Sequence, residues 1–432
     1  MNIKWYCVQP LSGAIYLAAE EVIGHPAEFI ASFPGLEKQH LYKDGKLIRV
    51  GNERNLLEYL NKRKRRPQYV QFTTGMFNLN SDQGLYFPEE YNTGMKIDHD
   101  SFQNADFVCA LPVCSGLSNA NRADHGKKDS AKNDNMRMIT ELVLSSNTKV
   151  FLFENAPALY TNKGAKVRAD LEELALKFGY SITYIKTNSM LHNNVQCRQR
   201  TYVIFWQWPN GKPVPPPMIS YENKPVKDIM TFLSQIKANA TQNRAEDRVF
   251  DINTKKDYLF MRHKFGDKWR EEILGTCITH YIMSNNLELE AAKWIDDPKY
   301  TRWFNHCRHK LNQGMGYYDC SLIWQGPEKV KTIFFKNDQS LVHPEEDRAY
   351  TMREVMTFMN MPQDFEYLHE PRTCMQVMGQ NVPLNTARFW ISQAVGVLQN
   401  WGTDRMRNPS GFDRTNIYFH DNIKPENSHY GK

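Results

Sequence analysis

Cys114, Glu154 and Arg198 are the residues whose types and spacing suggest chemistry. Cys114 stands just after the short apolar run 107–111, in the stretch DFVCALPVCSGLSNAN (106–121). That run reads as a buried strand, and Pro112 ends it. In a parallel α/β sheet, reacting groups collect past such strand ends. Glu154 closes a second apolar run, KVFLF (149–153), and is followed by Asn155, Ala156 and Pro157. Arg198 and Arg200 lie in QCRQR (196–200), between the candidate strands 181–186 and 201–206. A thiolate attacking an electron-poor carbon is covalent catalysis. A buried carboxylic acid of raised pKa can assist it by giving a proton or strong hydrogen bond to the target. A nearby guanidinium holds the target or lowers the pKa of the thiol. Taken singly, each of these residues has a plain structural reading: a core cysteine, a capping carboxylate, surface cations. Only together do they point to catalysis.

The elements that must position them alternate strand and helix through the first 210 residues. Trp5–Gln9 reads as strand, residues 11–14 as a small-residue turn, 15–23 as helix and 28–33 as strand. Helices are expected over 52–60, 136–144 and 168–178, the last closed by Gly179. This alternation predicts a doubly wound, mostly parallel sheet. The strand–turn–helix at residues 5–23 is a site where backbone N–H groups commonly face a nucleotide-type ligand. The cations 62–66 are a solvated helix end or a phosphate contact. Residues 68–101 read as loop with short strands, and 119–135 as a polar surface loop. The stretch WPNGKPVPPP (208–217) is half proline and reads as a stiff connector at a domain boundary. Beyond it the rhythm is lost. Helix-like segments (226–236, 288–294) mix with strand-like ones (321–324, 330–335). In YTRWFNHCRHK (300–310), aromatic residues alternate with cations, a pattern suited to stacking and phosphate contact together. A helix is expected over 350–360, another over 384–399, and a polar aperiodic tail from 401.

The bulk numbers set limits. A chain of 432 residues with 41% hydrophobic content and net charge +6 can bury a sizeable core, and permits but does not demand a polyanionic partner. Eight irregularly spaced cysteines read as reduced thiols rather than a disulfide framework. The first residues lack the apolar core of a signal peptide, and no run approaches a membrane span. A soluble cytoplasmic protein is expected. Cys277, His280, His306, Cys307 and His309 lack the paired spacing of a zinc site, and no metal is expected.

In order and spacing these motifs resemble the DNA cytosine-5 methyltransferase family. Its PPCQxxS motif is matched by Pro112-Val113-Cys114-Ser115-Gly116-Leu117-Ser118, its ENV by Glu154-Asn155-Ala156 and its QxRxR by Gln196, Arg198 and Arg200. A later block, RxLTxRE through FPddf, resembles Arg348 to Glu354 and Met361 to Phe365. The last motif, QxxGN with valine and proline following, resembles Gln376, Gly379, Val382 and Pro383.

The resemblance implies a Rossmann-like class I S-adenosylmethionine-dependent methyltransferase domain (1–210), with a smaller mixed α/β target-recognition domain (211–345). Residues 346–400 return to the catalytic domain, and DNA lies between the two. It implies Cys114, Glu154 and Arg198 as catalytic residues acting on a flipped cytosine. The cofactor S-adenosylmethionine is held by Leu11, Ser12, Gly13, Pro112, Asn381 and Val382. The resemblance implies that Ser118 and Arg200 hold DNA, and the pattern of 300–310 adds Arg302, Arg308 and Lys310 as DNA-binding candidates. The sequence departs from the family mainly on the cofactor side. LSGAIY (11–16) replaces FxGxGG, so Ile15 and Tyr16 are expected to intrude where glycines admit a ligand. Val113, Ser115 and Gln380 also differ, and Glu37 is the nearest candidate for the acidic residue that holds the cofactor ribose. Three readings stay open: a methyltransferase using S-adenosylmethionine, a related enzyme with another donor or a required subunit, and a silent DNA-binding relative. A pure binder has no need to keep both thiol and acid, which favours the first two over the third, and the first is adopted.

Overall fold

The computed structural model describes residues 2–32, 41–43, 46–49, 52–65, 67, 69–72, 103–118, 130–217, 219, 228–273, 277–313, 330–331, 341–368, 371–399, 401, 416–423 and 429–430. Glu37, the loop 73–101, the polar segment 119–129 and the expected strand 321–324 lie outside them. The chain divides into two compact units. The first comprises Met1–Asn194, Arg198–Pro225 and Asn381–Lys432; the second comprises Val195–Cys197 and Val226–Gln380.

The first unit is built on one sheet. Its strands are β1 (Trp5–Val8), β2 (Phe29–Ser32), β3 (Tyr69–Phe72), β4 (Phe107–Ala110), β5 (Val150–Asn155), β6 (Tyr180–Asn188), β7 (Gln199–Gln207), β8 (Ile417–Asp421) and β9 (His429–Tyr430). Across the sheet the order is β3-β2-β1-β4-β5-β7-β6-β8-β9. Pairs among β3, β2, β1, β4 and β5 are parallel, whereas β7 runs antiparallel to both β5 and β6. This is a Rossmann-like sheet, mostly parallel. β1, β4 and β5 are buried along their whole length, as central strands covered on both faces must be.

Helices cover both faces. Val8, Val108, Phe151, Phe153 and Phe205 form one core with α2 (Asp134–Ser145) and α3 (Ala165–Phe178). Phe151 stacks on Phe205 at 5.6 Å. The alternate strand positions face the other way. There Trp5 meets Tyr16 of α1 (Ala14–Ile23), and Tyr202 meets Trp390 of the helix Leu384–Leu398. α3 ends at Gly179, whose left-handed backbone (φ 79°) lets its N–H reach the carbonyl of Ala175.

Two expectations about the first unit change. The tail after 401 contains β8, which runs parallel to β6, and β9, which pairs with β8. Its polar residues are absorbed on the inside: Asn422 donates to Thr187 Oγ1 at 3.0 Å, and the His420 ring bonds the Tyr418 hydroxyl. The proline-rich stretch lies along β6, where Ser181 Oγ donates to the Val214 carbonyl and Trp208 Nε1 donates to Ser181 Oγ. The division between units falls later, at Pro225.

The described residues of the second unit are mainly helical, with a small parallel ladder between Gln196–Cys197 and Val330–Lys331. Only Val330 and Lys331 of the expected strand 330–335 are described. Residues 346–380 belong to this unit and not to the catalytic one. The reason is Arg353, which is fully buried. It donates to the carbonyls of Thr241, Pro362 and Phe365 and to Thr241 Oγ1, tying the helix Met352–Phe358 to the chain near 241. Thr351 and Glu354 form a capping box, and Arg348 closes over Glu354 with paired bonds of 2.8 Å. No described helix is long and apolar enough to cross a membrane.

Candidate active site

Register explains how Cys114 comes together with Glu154 and Arg198, 40 and 84 positions further along the chain. β4 and β5 are parallel neighbours, with Ala110 beside Phe153. Cys114 and Glu154 therefore leave the sheet at the same edge. β7 is antiparallel to β5 and pairs Tyr202 with Glu154, so its first residues lie at that edge too. Arg198, Arg200 and Tyr202 are spaced by two, and residues so spaced along a strand share a face. That face is the one Glu154 occupies.

Glu154 is buried, and its Oε1 lies 2.6 Å from Arg200 Nε. Burial pushes its carboxyl up to about 7, against the downward pull of Arg200 and Arg198. Arg198 is also buried. Its backbone N–H donates to Ser189 Oγ at 3.1 Å, and its guanidinium donates to the carbonyl of Asn381. Burial and the like charge of Arg200 lower its pKa. The thiol of the half-buried Cys114 is raised by desolvation and by Glu154, and lowered by both arginines. Sequence reasoning put Arg200 on DNA phosphate; the structure puts it against the carboxylate of Glu154.

Three asparagines, unassigned from sequence, hold the cysteine loop. Asn155 Nδ2 donates to the Pro112 carbonyl at 3.4 Å, and Asn135 Oδ1 accepts from the Val113 N–H at 3.0 Å. Asn133 is packed so tightly under Gly116 that a Cβ there would lie 2.2 Å from its Oδ1. Leu117 and Ser118 donate their N–H groups to the Cys114 carbonyl, which places Ser118 in the turn that follows the thiol. Tyr202 is fully buried beside Glu154, and its hydroxyl has no hydrogen-bond partner among the described residues. Its position two beyond Arg200 was the available sequence signal.

The expected cofactor residues also gather at this edge. Within five residues after β1, Gln9 (φ 50°), Leu11 (φ 52°) and Gly13 (φ 101°) are left-handed. Such strain in non-glycine residues concentrates at functional sites. Gly13 is obligatory, because a Cβ there would lie 2.6 Å from Leu56 Cδ1. Ser12 is buried and accepts from Asn381 Nδ2 at 2.9 Å; Val382, next to Asn381 in the chain, is buried, and so is Pro112 just past the end of β4. Ile15 and Tyr16 do not intrude. Both are fully buried in the helix interface, and the Tyr16 hydroxyl accepts from the Ala27 N–H at 3.2 Å. The buried Oε1 of Gln9 and Oδ1 of Asn381 have no hydrogen-bond partner among the described residues. Two orphaned acceptors beside a strained loop fit a ligand carrying donors, such as an amino acid ammonium or a ribose.

The remaining predicted residues are in the second unit. Arg302 is exposed and Lys310 half-buried on the helix Pro298–Asn312. Arg308 is committed to Glu288 at 2.6 Å and to the Met283 carbonyl. The aromatics of 300–310 pack inward: Phe304 is buried, and Trp303 Nε1 donates to Thr279 Oγ1. Stacking on a base is therefore not their role.

Residues 78–395 match the model of the C-5 cytosine-specific DNA methylase family. The chain belongs to that family. It is 22% identical over 300 residues to the Type II methyltransferase M1.HphI of Haemophilus parahaemolyticus, covering 69% of this chain and 70% of the relative. An Escherichia coli prophage protein assigned as a DNA modification methyltransferase shares the fold, with a TM-score of 0.52, 13% identity and coverage of 92% of this chain and 99% of that one. The Entamoeba histolytica methyltransferase EhMeth gives a TM-score of 0.49 at 11% identity, with the same coverage. The activity of the family, methylation of cytosine in DNA at carbon 5, is thus the activity of this chain, and S-adenosylmethionine is the family's methyl donor.

Proposed function

We propose that Cys114, Glu154, Arg198 and Arg200 form the catalytic group of this cytosine-5 methyltransferase, acting on a cytosine turned out of the DNA stack. The observation that carries this reading is the buried Glu154–Arg200 pair beside the Cys114 thiol. Carbon 5 of cytosine is a weak nucleophile. The Cys114 thiolate adds to carbon 6, and the neutral Glu154 carboxyl gives its proton, or a strong hydrogen bond, to N3. The ring electrons then make carbon 5 an enamine carbon. With a donor bound, carbon 5 would take the methyl group as the methyl–sulfur bond breaks with its electron pair left on sulfur; release of the carbon 5 proton to solvent would then expel the thiolate, and the N3 proton returns to Glu154.

Arg200 fixes the orientation of Glu154, and its charge with that of Arg198 stabilises the thiolate. The mostly buried pocket keeps water from the adduct. Leu11, Ser12, Gly13, Pro112, Asn381 and Val382 would hold S-adenosylmethionine, which supplies an electrophilic methyl group when bound. Gln9 joins that set through its unpartnered acceptor. The ribose-binding acid, for which Glu37 is the sequence candidate, lies outside the described residues.

The test is mass spectrometry of DNA treated with the purified chain and S-adenosylmethionine. A gain of one methyl group on cytosine is expected, with none from Cys114→Ser. Methyl transfer by that variant at the parent rate overturns the assignment.

A further inference from the structure

The helix Pro298–Asn312 presents a second surface whose chemistry is legible. It contains no aspartate or glutamate. Its buried side, Phe304 and Cys307, packs on the helices Ile278–Ser284 and Glu288–Ile295, and Arg308 and Trp303 pin it there. A two-residue turn joins it to the second of those helices: Asp296, left-handed at φ 47°, and Asp297, whose carboxylate caps the new helix. The result is a helix with one face left exposed among the described residues. On that face stand Arg302, Asn305, His306 and His309, all exposed. Their spacing of three, four and seven aligns them in one stripe. Lys299 and Lys310 flank it. Leu311, the exposed apolar residue of the helix, falls off the stripe by the same spacing.

We propose that this face reads base edges in the major groove of the DNA substrate, and so sets the site at which cytosine is methylated. This rests on the function proposed above for its substrate, and goes beyond it in naming the reading element. Three points favour duplex DNA as the occupant. The face carries only cations, amides and imidazoles, complementary to a polyanion. Arginine pairs with guanine O6 and N7, and asparagine with adenine N6 and N7. The stripe from Arg302 to His309 spans seven residues, about 10 Å, or about three base-pair steps, and a major groove admits a single helix. The lysines at its sides suit phosphate contacts, which position without specifying.

The experiment uses the full chain on a randomised duplex library. Methylated sites are read by bisulfite sequencing, and binding to the preferred site is followed by fluorescence anisotropy over a range of salt. Arg302→Ala and Asn305→Ala are expected to erase the preference for a guanine and an adenine respectively, each by about tenfold or more, while methylation continues on a wider set of sites. Lys299→Ala with Lys310→Ala should instead weaken binding to all sequences alike and reduce the salt slope by about one for each phosphate no longer neutralised.

The triple variant Arg302→Ala/Asn305→Ala/His309→Ala, melting with the parent, overturns the proposal if its site preference is unchanged and its affinity is within twofold. Should the parent methylate nothing, the function reading fails, and the helix is judged by anisotropy selection alone. A motif selected by the parent and lost in the triple variant supports it. Equal selection, or no selection by the parent, overturns it.

Discussion

The thiol side and the cofactor side of the first unit meet at one sheet edge but are specified in different ways. In the proposed mechanism Cys114, Glu154 and Arg200 act through side-chain atoms, so only those residue types can do the work. The Gln9–Gly13 loop is specified mainly by backbone conformation. Gly13 keeps the family's first glycine at φ 101°, and Ile15 and Tyr16 are tolerated at the other two glycine positions because they are buried in the fold beside it. A motif made of functional groups must keep its letters; a motif made of φ angles can lose most of its letters and keep its shape.

Changes on the thiol side should therefore strike turnover, and changes on the cofactor side should strike only where conformation is forced. Cys114→Ser is expected to bring turnover below detection while DNA affinity, read by anisotropy, stays within threefold. Glu154→Gln should lower kcat by about 10²–10⁴-fold, with cofactor affinity by calorimetry unchanged. Gly13→Ala should combine a strained φ with the Leu56 clash and cost stability of about 1–3 kcal/mol, seen as a lower midpoint in urea together with loss of S-adenosylmethionine binding. Tyr16→Phe removes only the bond to Ala27 and should leave the cofactor KM within about twofold. A tenfold rise would show that Tyr16 serves the ligand and would break the comparison.

A smaller effect concerns pH. On the proposed mechanism the reacting enzyme holds one proton between Cys114 and Glu154. Activity should rise with pH through about 7, where the second proton leaves Glu154, and fall only when the raised Cys114 thiol is lost at higher pH. Arg200→Gln removes a charge that holds the Glu154 carboxyl down, so the acid limb of kcat/KM should move to higher pH. An unmoved limb would separate Arg200 from Glu154.

Much of the thiol side was legible because strand ends can be read from short apolar runs and the QxRxR spacing matches a strand's period of two. The partner of Arg200 was not legible, since register decides which carboxylate it meets. Nor was the direction of Tyr16: at a helix start each residue turns by about 100°, and a bulky letter does not say where it points. The tail misled for a different reason. His420, Asp421 and Asn422 look like surface residues, but they are buried against β6, where Thr187 satisfies Asn422. Deleting residues 416–432 should accordingly lower the melting temperature of the first unit, not merely trim it. In 300–310 the aromatics at 300, 303, 304 and the cysteine at 307 carry a helical spacing that outweighs their alternation with cations.

The bond from Arg198 to the Asn381 carbonyl joins residues 183 positions apart, with nearly the whole second unit between them in sequence. At about 5–20 residues per second of synthesis, the arginine waits on the order of ten to forty seconds for its partner. Asn381 also secures Ser12, so the base pocket and the cofactor loop are locked by the same late residue. A ribosome that has finished the thiol, the acid and both arginines has not yet made an enzyme. Reactivity toward DNA arrives only after the unit that carries the reading helix is complete.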